Sequence, residues 1–313
     1  MNTKISIILP AYNVGDYLKR SMKSILSQTL ESYEVIVVND GSTDNTLELF
    51  HQLNLDKRFS IYTKKNEGSG LARNYGLNIA KGEYIYFMDP DDEIEPDLLE
   101  SNVRVLEKTK SDFSIFGYRT MDSTRKVSGV FAPDVYLEIQ DKYQFRKELI
   151  NLAQQTSIYA VWNKVYRKEF IEKNKAKFTN LPIGQDAEFN WNLYSYTNSI
   201  VQLPEIYYTY FINRPGSART SYNSQKFKSE KKIATKMINT VKKWEKFDKY
   251  KEFIYEYTIN SIVREIKNIR KQDFFSYESL KNDVFTQKVK TIKLSEIKGS
   301  KMRMKLMYIK IFL

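Results

Sequence analysis

Residues 35–38 read Val-Ile-Val-Val, apolar at every position with no alternation. A strand of that kind has to be covered on both faces, which a sheet layered between helices provides. Strand candidates recur along the first third, at Ile5–Leu9, Glu34–Val38, Phe59–Tyr62, Glu83–Met88 and Phe113–Phe116. Helical spacing separates them. Tyr17–Leu26 sets Leu18, Met22, Ile25 and Leu26 on one side, Asp44–Leu53 has Ser42 or Thr43 to cap it, and Gly70–Ala80 stops at Gly82. Strand and helix in alternation predict an α/β fold, a largely parallel sheet with right-handed crossovers.

In a parallel sheet the strands all end at one edge, where open α/β folds bind ligands. The first strand is followed by Pro10, Ala11, Tyr12 and Asn13, and the second by Asn39, Asp40, Gly41, Ser42, Thr43 and Asp44. After the third come Lys65, Asn66, Glu67 and Gly68, then Arg73 and Asn74; after the fourth come Asp89, Pro90, Asp91 and Asp92. Three acids in four positions repel one another. A solvated turn tolerates them, or a divalent metal shared with a diphosphate neutralises them. Tyr12 offers a flat face for a base, Asp40 can accept from a base N–H, and Arg73 can pair with a phosphate. Asp89 and Asp91 can hold ribose and metal. Together these make a nucleoside diphosphate site assembled from separate loops. The G-x-G-x-x-G of dinucleotide folds is absent, and Gly68–Arg73 is too short for a phosphate-cradling loop.

Composition removes several chemistries. With no cysteine among 313 residues, disulfides, thiol nucleophiles and cysteine-type zinc sites are excluded. His51 is the only histidine and falls in a helical stretch, so the expected general base is a carboxylate, with Lys or Tyr as the alternative. The first residues read as a strand and not a signal peptide, and no window has the length of a membrane span, which predicts a cytoplasmic protein.

The segments SIILPAYNVGDYLKRSMKSILSQTLESYEVIVVNDGSTDNT, NEGSGLARNYG and GEYIYFMDPDD, in this order, resemble glycosyltransferase family 2. The resemblance is dense over about residues 3–115, with patches to about 220. It implies the GT-A fold, a Rossmann-like, mostly parallel sheet flanked by helices. It further implies a nucleotide-sugar donor, a divalent metal (Mn²⁺ or Mg²⁺), inversion at the anomeric carbon, and a bacterial surface-polysaccharide role. On these positions it places Pro10, Tyr12, Asn13 and Asp40 at uracil and ribose, and Asn66 and Arg73 at the nucleotide. Asp89 falls at ribose or metal, Asp91 on the metal, and Asp92 beside them as a structural neighbour.

Three later patches extend the resemblance. AVWNKVYRKEF (160–170) resembles a segment that follows a strand and lines the acceptor side, with Trp162, Asn163 and Lys164. Trp162 could stack on a sugar or fill the core. LPIGQDAEFNWNLY (181–194) resembles a segment whose Asp deprotonates the acceptor hydroxyl. Asp186 takes that place, with the usual preceding Glu replaced by Gln185. Asp186 also suits a helix N-cap, and Glu188 is an alternative base. In YYTYFINRPGSART (207–220), Arg214 or Arg219 would approach the diphosphate.

Ser224–Leu313 holds 23 Lys+Arg against 10 Asp+Glu, a net of +13, whereas the rest of the chain is near neutral. Helical spacing covers Phe227–Phe247, Phe253–Ile269 and Glu278–Val289. We therefore expect a catalytic domain over 1–223, with a nucleotide half to about 115 and an acceptor half beyond it, and a basic helical module over 224–313. The segment KGSKMRMKLMYIKIFL fits helix and strand equally. It could lie on an anionic bilayer, cross a partner in a homo-oligomer, or cover a groove. Aromatic spacing in the module suits helix packing and not a stacking platform, so nucleic acid is not expected.

The sequence thus predicts an inverting, metal-dependent transferase. It moves a sugar from a UDP-sugar to a lipid-linked or polymeric glycan at the inner face of the cell membrane. The competing reading is a nucleotide-sugar-binding protein without transferase activity.

Overall fold

The computed structural model describes residues 3–53, 55–212, 225–269 and 274–313. The chain divides into two compact units, the first of residues 1–181 and 185–217, the second of 182–184 and 218–313.

The first unit opens with β1 (Ile5–Ala11), α1 (Gly15–Leu26), β2 (Tyr33–Asn39), α2 (Thr46–Gln52), β3 (Phe59–Thr63), α3 (Ser69–Ile79) and β4 (Tyr84–Phe87). Strands β3, β2, β1 and β4 lie side by side and all parallel, with Ala11 opposite Asn39, Asn39 opposite Thr63 and Ile8 opposite Phe87. This is the expected alternating block. β1 is buried along its whole length, and β2 has no exposed residue. Leu18, Met22 and Ile25 of α1 are buried in the cluster that holds Ile7 and Leu9 of β1.

Beyond β4 the sheet turns mixed. The chain continues through β5 (Glu93–Ile94), α4 (Leu98–Thr109), β6 (Phe113–Met121), β7 (Val127–Phe131), β8 (Leu137–Ile139), α5 (Lys142–Gln155), β9 (Lys164–Arg167), α6 (Lys168–Lys173), α7 (Gln185–Tyr194) and β10 (Ile200–Phe211). β9 runs antiparallel to both neighbours, β4 and β6, while β10 returns parallel to β6. The strand order is β3-β2-β1-β4-β9-β6-β10-β5, with β7 on β6 and β8 on β10. The segment expected to follow a strand, at Asn163–Lys164, instead starts one. Four residues with lysine and arginine at the ends show no strand periodicity, so β9 was not legible.

In the second unit, α8 (Lys226–Lys243) and α9 (Phe247–Ile269) are the two expected long helices. The expected helix over 278–289 is two, α10 (Phe274–Asn282) and α11 (Val284–Lys290). Asp283 separates them, because its carboxylate accepts from the amides of Phe285 and Thr286 and so caps α11. The ambiguous tail is helix α12 (Ser300–Phe312). No helix among the described residues is long and apolar enough to cross a membrane.

Candidate active site

The loops that follow β1, β2, β3 and β4 meet at one edge of the sheet, and side chains knit them together. Asn13, at φ 52°, bonds the second loop: its Oδ1 accepts from the Thr43 amide at 2.9 Å, and its own amide donates to Ser42 Oγ at 3.1 Å. Asp40 is almost wholly buried and faces the third loop. Its Oδ1 accepts from Lys64 Nζ at 2.8 Å and the Glu67 amide at 3.1 Å, and its Oδ2 from the Gly68 amide at 2.7 Å. Gly41 sits at φ +71°, and a Cβ there would lie 2.9 Å from the Asn66 amide, so only glycine lets these loops approach so closely. Pro10 is buried within β1, Asn66 is exposed, and the Tyr12 ring is 47 % exposed. The ring expected under a base is open, whereas both oxygens of the carboxylate expected on the base already hold protein donors.

Arg73, on α3, is 3 % exposed and joins two carboxylates. Its Nη2 donates to Asp89 Oδ1 at 2.7 Å and its Nη1 to Asp186 Oδ1 at 2.8 Å. Its Nε is buried with no hydrogen-bond partner among the described residues. Asp186 lies in the first turn of α7, one residue past the helix start, so it is not an N-cap. Burial pushes its carboxyl above the ordinary aspartate value, while the Arg73 guanidinium beside it acts in the opposite direction. The Val161 backbone nearby acts in the same direction as Arg73. Glu188 is engaged elsewhere, accepting from Thr179 Oγ1 at 2.5 Å. Gln185 Nε2 donates to Ser69 Oγ at 2.6 Å, tying the start of α7 to that of α3.

Asp89, Asp91 and Asp92 bring carboxylate oxygens within 4.8 Å of one another. Hard oxygen donors of this kind suit Mg²⁺ or Mn²⁺. Asp92 is fully buried, with Oδ2 accepting from Tyr208 Oη at 2.6 Å and Oδ1 from the Phe211 amide at 2.9 Å. Both its oxygens are thus committed to the protein, which leaves Asp89 and Asp91 to hold an ion. The turn is pinned from α1, where Arg20 donates to the Asp91 carbonyl and lies 3.6 Å over the Phe211 ring.

The sequence profile of glycosyl transferase family 2 matches residues 6–174. The chain belongs to this family. Among curated family members it is 28 % identical to glycosyltransferase GlyA of Streptococcus pneumoniae over 70 % of its own length and 32 % of GlyA. With the putative glycosyltransferase EpsH of Bacillus subtilis it is 29 % identical over 67 % of this chain and 61 % of that one. It therefore spans about a third of the first relative and under two thirds of the second. A structure of S. aureus TarS residues 1–349 in complex with UDP-GlcNAc shares its fold, at TM-score 0.72 and 22 % identity, covering 98 % of this chain and 87 % of that one.

For this member of the family the acceptor-side expectations need correction. Asn163 and Lys164 are fully buried. Lys164 Nζ donates to the carbonyls of Ser157 at 2.9 Å and Ala160 at 2.6 Å and to Asn163 Oδ1 at 2.9 Å. Three acceptors satisfy its three donors, so no hydrogen remains for an acceptor sugar. Burial pushes its amine well below the ordinary lysine value, and nearby Asp186 pulls the other way. Trp162 takes its core alternative, stacked on Tyr208 at 4.5 Å and Tyr210 at 5.6 Å with 7 % of its surface exposed. Arg214 and Arg219 lie outside the described residues.

Asn190 was missed. Its Nδ2 donates to the carbonyls of Tyr159 and Ala160, both at 3.0 Å, so with Lys164 it clamps the loop that carries Val161, whose backbone influences Asp186. The available signal was a polar residue inside the apolar run Phe189–Trp191, which demands a buried partner.

Proposed function

We propose that this chain transfers a sugar from a nucleotide-sugar donor to a hydroxyl of a glycan acceptor, with inversion. The observation that carries it is Arg73, whose two terminal nitrogens join Asp89 on the acidic turn to Asp186. A carboxylate suited to the donor's metal and one suited to deprotonate an acceptor thus flank a single guanidinium. The acceptor oxygen forms a bond to the anomeric carbon as the bond to the diphosphate oxygen breaks. Asp186 takes the hydroxyl proton, its raised affinity for a proton making it a better base than an ordinary aspartate. The nucleoside diphosphate leaves with the bonding electrons.

Asp89 and Asp91 would hold a divalent ion, Mn²⁺ or Mg²⁺, which supplies charge neutralisation for that leaving group. Tyr12 would stack on the base. A single displacement needs no enzyme nucleophile, consistent with a chain that has no cysteine. The donor is a UDP-sugar, with N-acetylhexosamine first among candidates because the TarS structure of the same fold holds UDP-GlcNAc. The acceptor class, a lipid-linked or polymeric surface glycan, follows the family resemblance. A panel of nucleotide sugars assayed for donor hydrolysis and for transfer, with Asp186→Asn as control, tests this. Turnover of no nucleotide sugar, with or without Mn²⁺, would refute it.

A further inference from the structure

Helix α12 is apolar on two opposite sides. Leu306 and Ile309 are fully buried and Leu313 nearly so, packed in the cluster built on Ile259, Ile262 and Ile266 of α9. At about 100° per residue, Met304, Met307 and Ile311 fall on the far side. Their exposures are 63, 45 and 70 %. Basic residues line both borders between the two sides, Arg303 and Lys310 along one and Lys301 and Lys305 along the other. Two of them are held in place: Arg303 Nε donates to the Ile297 carbonyl and Lys305 Nζ to Asn260 Oδ1, each at 2.6 Å. The helix carries no acidic residue.

An exposed apolar stripe edged on both sides by cations calls for a partner that is anionic at its surface and apolar beneath. A second copy of this chain could cover the apolar stripe with its own but fails the charge demand, because a symmetric pairing sets the basic borders against each other. Nucleic acid supplies the charge but nothing to cover methionine and isoleucine. A phospholipid interface supplies both, and lysine and arginine reach headgroups while apolar neighbours enter the acyl region. The net charge of +13 over 224–313 has the matching sign. At 13 residues the helix is too short to span a bilayer.

The geometry points to α12 lying in the interface of an anionic phospholipid bilayer, with Met304, Met307 and Ile311 among the acyl chains and its basic borders among the headgroups. This rests on the exposed face of α12 and not on the transferase reading.

The test is co-sedimentation of the full chain with vesicles of mixed phosphatidylglycerol and phosphatidylcholine, against phosphatidylcholine alone. The wild type binds the anionic vesicles only, and less as salt rises. Lys301→Gln/Arg303→Gln/Lys310→Gln weakens partition by about a hundredfold, at roughly fivefold per charge. Met304→Ser/Met307→Ser/Ile311→Ser weakens it at least about tenfold with the charge untouched. Circular dichroism confirms that both variants keep their helices. A wild type indifferent to anionic vesicles overturns the proposal, as does a serine variant that binds like the wild type. A serine variant that drops to a smaller assembly in light scattering while still binding vesicles also overturns it, and makes α12 a subunit contact. Donor hydrolysis is read on the same samples. A chain that binds vesicles but hydrolyses no donor fails the transferase reading and leaves this one standing.

Discussion

Replacing Arg73 by methionine keeps an unbranched apolar stem and removes the charged guanidinium. Two carboxylates then lose their shared partner, and their own side chains are only 28 % (Asp89) and 22 % (Asp186) exposed. Breaking a buried ion pair on one side costs roughly 3–5 kcal/mol, since the remaining charge stays desolvated. Partial exposure of both acids places the expected loss for Arg73→Met at the lower end, about 3 kcal/mol. The loss depends on pH with a definite sign. The Asp186 carboxyl already sits above its ordinary value because of burial, and Arg73 opposes that. Without Arg73 it moves higher still, so the destabilisation is full above that raised value. It fades as pH falls and the carboxyl takes a proton. The clean measurement is a double-mutant cycle of Arg73→Met and Asp186→Asn by urea unfolding at neutral pH. Neutralising Asp186 removes one of the two stranded charges, so the double variant should recover about 1.5–3 kcal/mol relative to additivity. Coupling within about 0.5 kcal/mol of zero would refute the bridge as an energetic unit.

Four further outcomes are expected. Asp91→Ala removes Mn²⁺-dependent donor binding in calorimetry, and full activity of that variant in the presence of a chelator would contradict its role. Asp186→Asn lowers kcat by at least about 100-fold with donor affinity nearly unchanged, and the acidic limb of the wild-type profile falls above the ordinary aspartate range; activity in this variant together with inactive Glu188→Gln would assign the base to Glu188. Lys164→Met, which frees the 157–161 loop, lowers kcat more than it raises the donor KM, and an unchanged kcat would mean that the clamp does not position Asp186. Gln185→Glu folds normally because Ser69 Oγ can turn from acceptor to donor, and a Tm lower by many degrees would show that this contact cannot reverse.

The parallel block was legible because its central strands are largely apolar and end in abrupt polar loops. That contrast survives in the one-dimensional string. The bridge through Arg73 was not, since it joins residues 73, 89 and 186, brought together only by tertiary structure. The resemblance of residues 160–170 set Lys164 on the acceptor side. What decides otherwise is three oxygens folded round its amine, two of them backbone carbonyls that no side-chain pattern reveals. Trp162 could be read as sugar platform or core with equal ease until Tyr208 and Tyr210 of β10 were seen to stack on it. The conformation of α12 was undecidable for a related reason: apolar residues on both of its sides blur any helical period.

The stitching of the loops by Asn13 and Asp40 bears on how donor preference can change within such a scaffold. Each loop is anchored by a side chain belonging to its neighbour, so none is an interchangeable part. A loop transplanted alone from a relative brings its own contacts but strands those of the loops beside it. Grafts that carry residues 10–15, 39–46 and 63–68 together preserve the stitches made by Asn13, Asp40 and their neighbours, so preference should be portable only as that whole set.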